Sequence, residues 1–179
     1  MRPVVAIMNN NFFEQSKTFF ENGDIKNTLE TYEKAISYID QKDKSSYLQF
    51  LNQILSYCKE NNLKEEEAVV LRSLGRTHSI FKQYVESLKY HEESLKIQRE
   101  LGNKMDVAEG LLYLAEDLEV SGNYENCIKA FQDAEELYQE LGKLRKVKEI
   151  QKELSRLMDF SKQMVEDEYY LKEFNIDKY

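Results

Sequence analysis

The sequence predicts an all-α fold, a stack of antiparallel helix hairpins, and three observations carry that prediction. The 179 residues include one Pro and six Gly, so little in the chain breaks a helix. A shift of 40 residues lays Leu71, Leu74, Tyr84, Ile97, Leu101 and Gly102 on Leu111, Leu114, Tyr124, Leu137, Leu141 and Gly142, with Ala68 on Ala108 and Ser94 on Ala134. Within each copy the apolar spacing is helical: Leu71, Leu74 and His78 run at i, i+3 and i+7, as do Leu111, Leu114 and Leu118. The length fits one compact domain or a short repeat array.

Taken in order, residues 9–42 read as a first hairpin, with Phe12 and Phe19 before a Gly23-Asp24-Ile25 turn and Tyr32 and Ala35 after it. Ser16 and Thr28 take its small-residue places. Residues 44–61 read as an additional helix, because Tyr47, Phe50, Leu51, Ile54, Leu55 and Cys58 form one amphipathic stripe. Residues 64–103 and 104–143 are the two copies of the repeat. In the second copy the turn is Ser121-Gly122-Asn123-Tyr124; in the first it is Phe81-Lys82-Gln83-Tyr84, where the glycine has been lost. Residues 144–179 continue the register through Leu154 and Met158 as a degenerate capping unit. The first hairpin is offset from the next by 59 residues, a period plus about one helix. Either the additional helix inserts as a packed layer, or the N-terminal hairpin forms a separate face open to exchange between subunits.

These places hold a bulky residue, Leu74-Gly75 or Leu114-Ala115, then His78 or Leu118, followed after the turn by small, large and small residues: Ser87, His91 and Ser94, or Cys127, Phe131 and Ala134. In this pattern the chain resembles the tetratricopeptide repeat family, in the long-helix type with a period near 40 residues. The resemblance implies a right-handed superhelical array of hairpins and a role as a protein-interaction module or adaptor. A peptide-sensing regulator of the bacterial Rap type, which changes conformation on binding, is the alternative.

Composition narrows the function further. A net charge of -8, from 33 acidic against 25 basic residues, lacks the basic excess that phosphate contacts need, so nucleic acid is not an expected partner. The apolar run from Pro3 to Met8 is shorter than a signal-peptide core, and nothing resembles a membrane span, so a cytoplasmic protein is expected. His78 and His91 sit where Leu118 and Phe131 sit in the next copy, and Cys127 and Cys58 fall on packing positions, so all four are expected to pack. No metal site, cofactor motif or catalytic set is present, and an enzyme is not expected.

In the resembled family ligand contacts come from places beside the packing positions on the first helix of each hairpin. Carried onto this chain, the groove residues are Phe13 and Lys17, then Arg72 and Arg76, then Leu112 and Glu116, then Lys152 and Arg156. Two basic pairs at i, i+4 suit an acidic peptide or helix of a partner protein. The competing expectation is that Arg72 and Arg76 are neutralised by Glu109, Glu116 and Glu119, while Lys152 and Arg156 are solvated. A receptor for a carboxy-terminal chaperone tail, which in the resembled family clamps a carboxylate with a Lys/Asn/Arg set, is disfavoured because the Asn partners are missing: Lys17, Ser73 and Glu116 fall near the required places. A homo-oligomer would form through the N-terminal hairpin or the additional helix.

Overall fold

Eight helices follow one another in the computed structural model, which describes residues 4–40 and 42–173, with side chains at 12–40 and 42–163. They are α1 (Val4–Glu21), α2 (Ile25–Ile36), α3 (Lys44–Glu60), α4 (Lys64–Ile80), α5 (Tyr84–Leu101), α6 (Lys104–Val120), α7 (Tyr124–Glu140) and α8 (Leu144–Glu173). No strand occurs among the described residues. Residue 3, the side chains of the apolar run that follows it, and residues 174–179 of the expected capping unit lie outside them.

Short turns fold α4 on α5, α6 on α7 and α7 on α8, giving an array of antiparallel helix hairpins. The turn that has lost its glycine keeps the geometry of the one that retains it. Lys82 adopts a φ of 57° where Gly122 has 80°. In both, the same two backbone bonds close the helix end: Lys82 N–H to Ser79 and Gln83 N–H to His78, Gly122 N–H to Glu119 and Asn123 N–H to Leu118. Asp24, Asn103 and Asn123 cap the helices that follow them by accepting from a backbone N–H three residues on.

The additional helix inserts as a packed layer. The α1–α2 hairpin, α3 and α4 form a four-helix bundle, in which α2 packs on α4, α4 on α3, and α3 returns to α1 through aromatic rings. Phe13 is its hub, with ring centroids 4.2 Å from Tyr47, 5.5 Å from Phe50 and 6.2 Å from Tyr32. Each such pair adds about 0.5–1.5 kcal/mol beyond the area buried.

Two apolar cores result. One joins α1 to α4 around Tyr32, Leu51, Ile54 and Leu74; the other joins α5 to α8 around Leu111, Phe131, Tyr138 and Leu157. Between them, where α4 meets α5, several of the buried side chains are polar: His78, Ser87, His91, Ser94 and Gln98. Small hydroxyls serve this seam twice over, letting the helices approach and donating to the facing backbone. Ser87 Oγ donates to the Gly75 carbonyl at 2.8 Å, and Ser94 Oγ to that of Ala68 at 2.7 Å. Ser16 Oγ does the same toward Thr28 in the first hairpin, at 2.8 Å. In the α6–α7 hairpin the equivalent residues are Cys127 and Ala134, and the contact is apolar.

Candidate functional site

Contacts between neighbouring helices fix one row. Along α4, Arg72 meets Asp106, Arg76 meets Tyr113 and Ser79 meets Asp117, so α4 and α6 ascend together. Glu33 of α2 reaches Arg72 and Arg76 from the other side, and Glu119 of α6 reaches Arg156 of α8. The face made by α2, α4, α6 and α8 therefore presents parallel helices, with α3, α5 and α7 behind it.

Three clefts open on this face. The first, of 390 Å³, lies between the C-terminal ends of α2 and α4 and the middle of α6, and is lined by Ile36, Ile80, Arg76, Tyr113, Glu116 and Asp117 among others. A second, of 360 Å³, lies at the opposite end of α2 and α4, between Lys26, Glu30, Glu65, Glu66 and Asp106. The third, of 290 Å³, lies between α6 and α8, with Leu112, Phe131 and Ile150 as its apolar part and Glu116, Glu119 and Glu153 as its polar part.

Arg72 separates the first two clefts. It is 7% exposed, with its guanidinium 3.1 Å from Glu33, 3.5 Å from Asp106 and 3.5 Å from Glu109. Burial opposes its charge, but the three carboxylates outweigh that and hold its pKa above the ordinary arginine value. Arg76, one turn on, lays its guanidinium over the Tyr113 ring at 4.3 Å and stands 3.9 Å from Glu33.

Behind the first cleft lies a buried polar cluster. Asp117 accepts from Ser79 at 2.5 Å and from Ser87, and its Oδ2 is 3.2 Å from Nε2 of His91. That last contact is close but off the line of a well-formed hydrogen bond, and both imidazole nitrogens are left without one. Burial alone would raise the Asp117 carboxyl; contacts with His91, Ser79 and Ser87 prevail and hold it below the usual carboxylate range. The imidazole stacks on Tyr113, with centroids 6.4 Å apart.

The structure brings together some of the residues that the sequence nominates and separates others. Arg76, Leu112 and Glu116 line clefts on one face. Arg72 lies beneath that face, tied to three carboxylates; of the expected neutralising set, Glu109 joins it, whereas Glu119 pairs with Arg156. Arg156 is held between Glu119 and Glu153, each at 2.8 Å, and Lys152 is exposed. Phe13 and Lys17 belong elsewhere. Phe13 is 5% exposed in the bundle core, and Lys17 sits over its ring at 4.2 Å while pairing with Glu14. The reason is the additional helix: with α3 packed on α1, it is α2, not α1, that joins α4 and α6 in the row.

Tyr113, Asp117 and Glu33 were not singled out by the sequence. A signal existed for Asp117, a carboxylate standing beside Leu118 on a packing face, in register with Thr77. Glu33 gives none, because the offset of the first hairpin hides which of its helices faces α4.

Both thiols are buried, and burial pushes Cys58 and Cys127 up to about 11, the range of unreactive packing residues. His78 stacks on Tyr90 and contacts Gln83 at 3.0 Å. No helix among the described residues is long and apolar enough to cross a membrane.

No family model matches the sequence, and no curated protein matches it. Among solved structures, the crystal structure of MamA protein is similar at 11% identity, over 96% of this chain and 97% of that one, with a TM-score of 0.37. A likeness that loose carries no argument about the site, which rests on its own residues.

Proposed function

We propose that this chain is a protein-interaction module that holds a segment of a partner protein along the face of α2, α4, α6 and α8. The observation that supports this reading is the run of three clefts on one face, each combining apolar side chains with charged ones at its edge. A segment laid across them would bury its apolar residues against Ile36, Ile80, Leu112 and Ile150 and its polar ones against Arg76 and Glu116. The expectation of an acidic segment rested on free cations at Arg72, Arg76, Lys152 and Arg156. Three of these, Arg72, Arg76 and Arg156, are engaged with the chain's own carboxylates, which weakens that expectation.

The reading places the module in the cytoplasm, as a binding protein and not an enzyme. Capture from a lysate of the native host with the full chain, identified by mass spectrometry, tests it when run beside Leu112→Glu, a change to a half-buried cleft residue. A partner retained by the wild type and lost by Leu112→Glu supports the reading; one retained by both moves the surface off this face.

A second reading, a peptide sensor that changes conformation, has one observation in its favour. The two apolar cores meet across a polar seam, which is the place where the halves would shift. Small-angle scattering with and without the captured segment separates the two, since a static adaptor keeps its radius of gyration. Light scattering tests for a homo-oligomer through the N-terminal hairpin or α3.

A further inference from the structure

We infer that the carboxy-terminal part of α8, residues 164–173, is the second helix of a third hairpin and docks on the α8 of a second copy of this chain, each copy supplying the helix that the other lacks.

Helices α4 and α6 end at Ile80 and Val120, and the same 40-residue register puts the end of α8 at Phe160. Instead α8 runs on to Glu173 as one helix. The ring of Tyr124, the first residue of α7, lies 5.3 Å from that of Phe160, so the rest of α8 passes beyond its hairpin partner by about 20 Å.

This overrun carries the sequence of a turn and a second helix. A shift of 80 residues lays Lys162, Gln163, Val165, Glu166, Tyr170 and Glu173 on Lys82, Gln83, Val85, Glu86, Tyr90 and Glu93, and a shift of 40 lays Ser161 on Ser121. In the first copy those residues turn at Lys82 and then form α5 against α4. Lacking a glycine, that turn needs a left-handed lysine, a strained conformation held in place by the packing of the helix that follows. Lys and Gln are good helix formers, and the same pair continues as helix in α8.

An independent observation lies on α8 itself, where the face that a second helix would cover is open. Met158 is 41% exposed, whereas its counterparts His78 and Leu118 are 8% and 7% exposed, His78 under the Tyr90 ring of α5. Ser155, also exposed, keeps the small side chain of Gly75 and Ala115, the place against which α5 presses His91. Lys148, standing where Ala68 and Ala108 stand, bounds the matching stretch. In the α4–α5 register Tyr170 falls to Met158 and Leu171 to Ser155. A continuous α8 carries residues 164–173 away from its own face, so the face that they match is that of another copy. Exchange in both directions closes a two-fold pair.

Light scattering of the full chain over a concentration series tests this. The expected mass at the upper end is twice the 21.3 kDa of one chain. Met158→Glu, at an exposed position, should return it to one chain that stays folded by near-ultraviolet circular dichroism. Lys162→Gly with Gln163→Asn rebuilds the Ser-Gly-Asn turn of residues 121–123 and should also give a single chain, its last helix now folded on its own α8. Mixing a Ser155→Cys chain with a Leu171→Cys chain under mild oxidation should give a linked pair; Cys58 and Cys127 are buried and do not compete. A single chain at every concentration overturns the exchange. A dimer indifferent to Met158→Glu and to the rebuilt turn overturns it as well, and moves the contact to the N-terminal hairpin or α3. So does a chain carrying both cysteines that closes on itself while the mixture stays unlinked, since the segment then returns to its own α8. None of these outcomes decides the interaction reading above, which rests on other residues.

Discussion

A β-carbon on Gly75 would lie 2.8 Å from the imidazole of His91, so the ring occupies the volume that any other residue would need. The missing side chain and the large one are two halves of one contact across α4 and α5. In the next copy Ala115 and Phe131 take these places.

Gly75→Ala should therefore destabilise the fold. Overpacking costs about 1–3 kcal/mol, offset by about 1 kcal/mol of helix propensity gained over glycine. Urea denaturation reads the net loss. In a His91→Ser background the same change should become stabilising, because the ring is gone and only the propensity gain remains. Equal effects in both backgrounds would mean that the ring and the glycine are not coupled.

Arg72 and Arg76 should separate sharply. Arg72→Gln leaves Glu33, Asp106 and Glu109 without their shared cation, and removing one member of a buried ion cluster costs about 3–5 kcal/mol. The lower end is expected, since the three carboxylates remain partly open to water. Arg76→Gln forfeits a ring contact worth about 0.5–1 kcal/mol. With Arg72 buried, reversing both to Glu should unfold the chain. Equal denaturation midpoints for the two single variants would contradict the arrangement.

Two neighbouring carboxylates should bend the pH profile in opposite directions. Asp117 is held below its ordinary value, so it contributes stability above that value and loses it as pH falls through the lower folded-state value. The advantage of wild type over Asp117→Asn should therefore shrink below about pH 4. Glu116 is pushed upward, so ionising it costs stability at neutral pH and nothing once both states are protonated. Glu116→Gln should thus be more stable than wild type at pH 7, with the gain vanishing as pH falls below about 4. Thermal melts of the three proteins from pH 3 to pH 8 read both trends, with those bounds set by about a unit on either side of the carboxylate range.

Phe13→Ala distinguishes a core position from a groove position. At the centre of the four-helix bundle the change should cost about 3–5 kcal/mol, through lost transfer energy and a cavity between α1 and α3. A loss below about 1 kcal/mol, the scale of surface substitutions, would put Phe13 on the surface and α3 elsewhere.

What the sequence discloses and what it withholds divide along physical lines. The 40-residue register places α4 to α7, because paired apolar positions and matching turns repeat in both copies and a helix needs nothing else to be located. The stripe from Tyr47 to Cys58 reveals α3 as a helix but not its neighbours. An apolar stripe records that a face is buried and not what buries it, so the hairpin ahead of α3 kept two possible orientations. Phe13 and Lys17 fell on the wrong side of that choice, and Glu33 on the side that matters. Arg72 was legible as a cation near carboxylates, yet its main partner comes from α2, 39 residues away, across the one break in the repeat.

The central claim is that the row of α2, α4, α6 and α8 is the binding face, and it is tested most directly by mapping a bound partner segment on the full chain by NMR. The account predicts shift changes and protection at Ile36, Arg76, Tyr113, Leu112 and Glu116, continuous across the three helices that carry them. Changes confined to the opposite side, at exposed residues of α5 and α7 such as Val85 and Lys129, would contradict it.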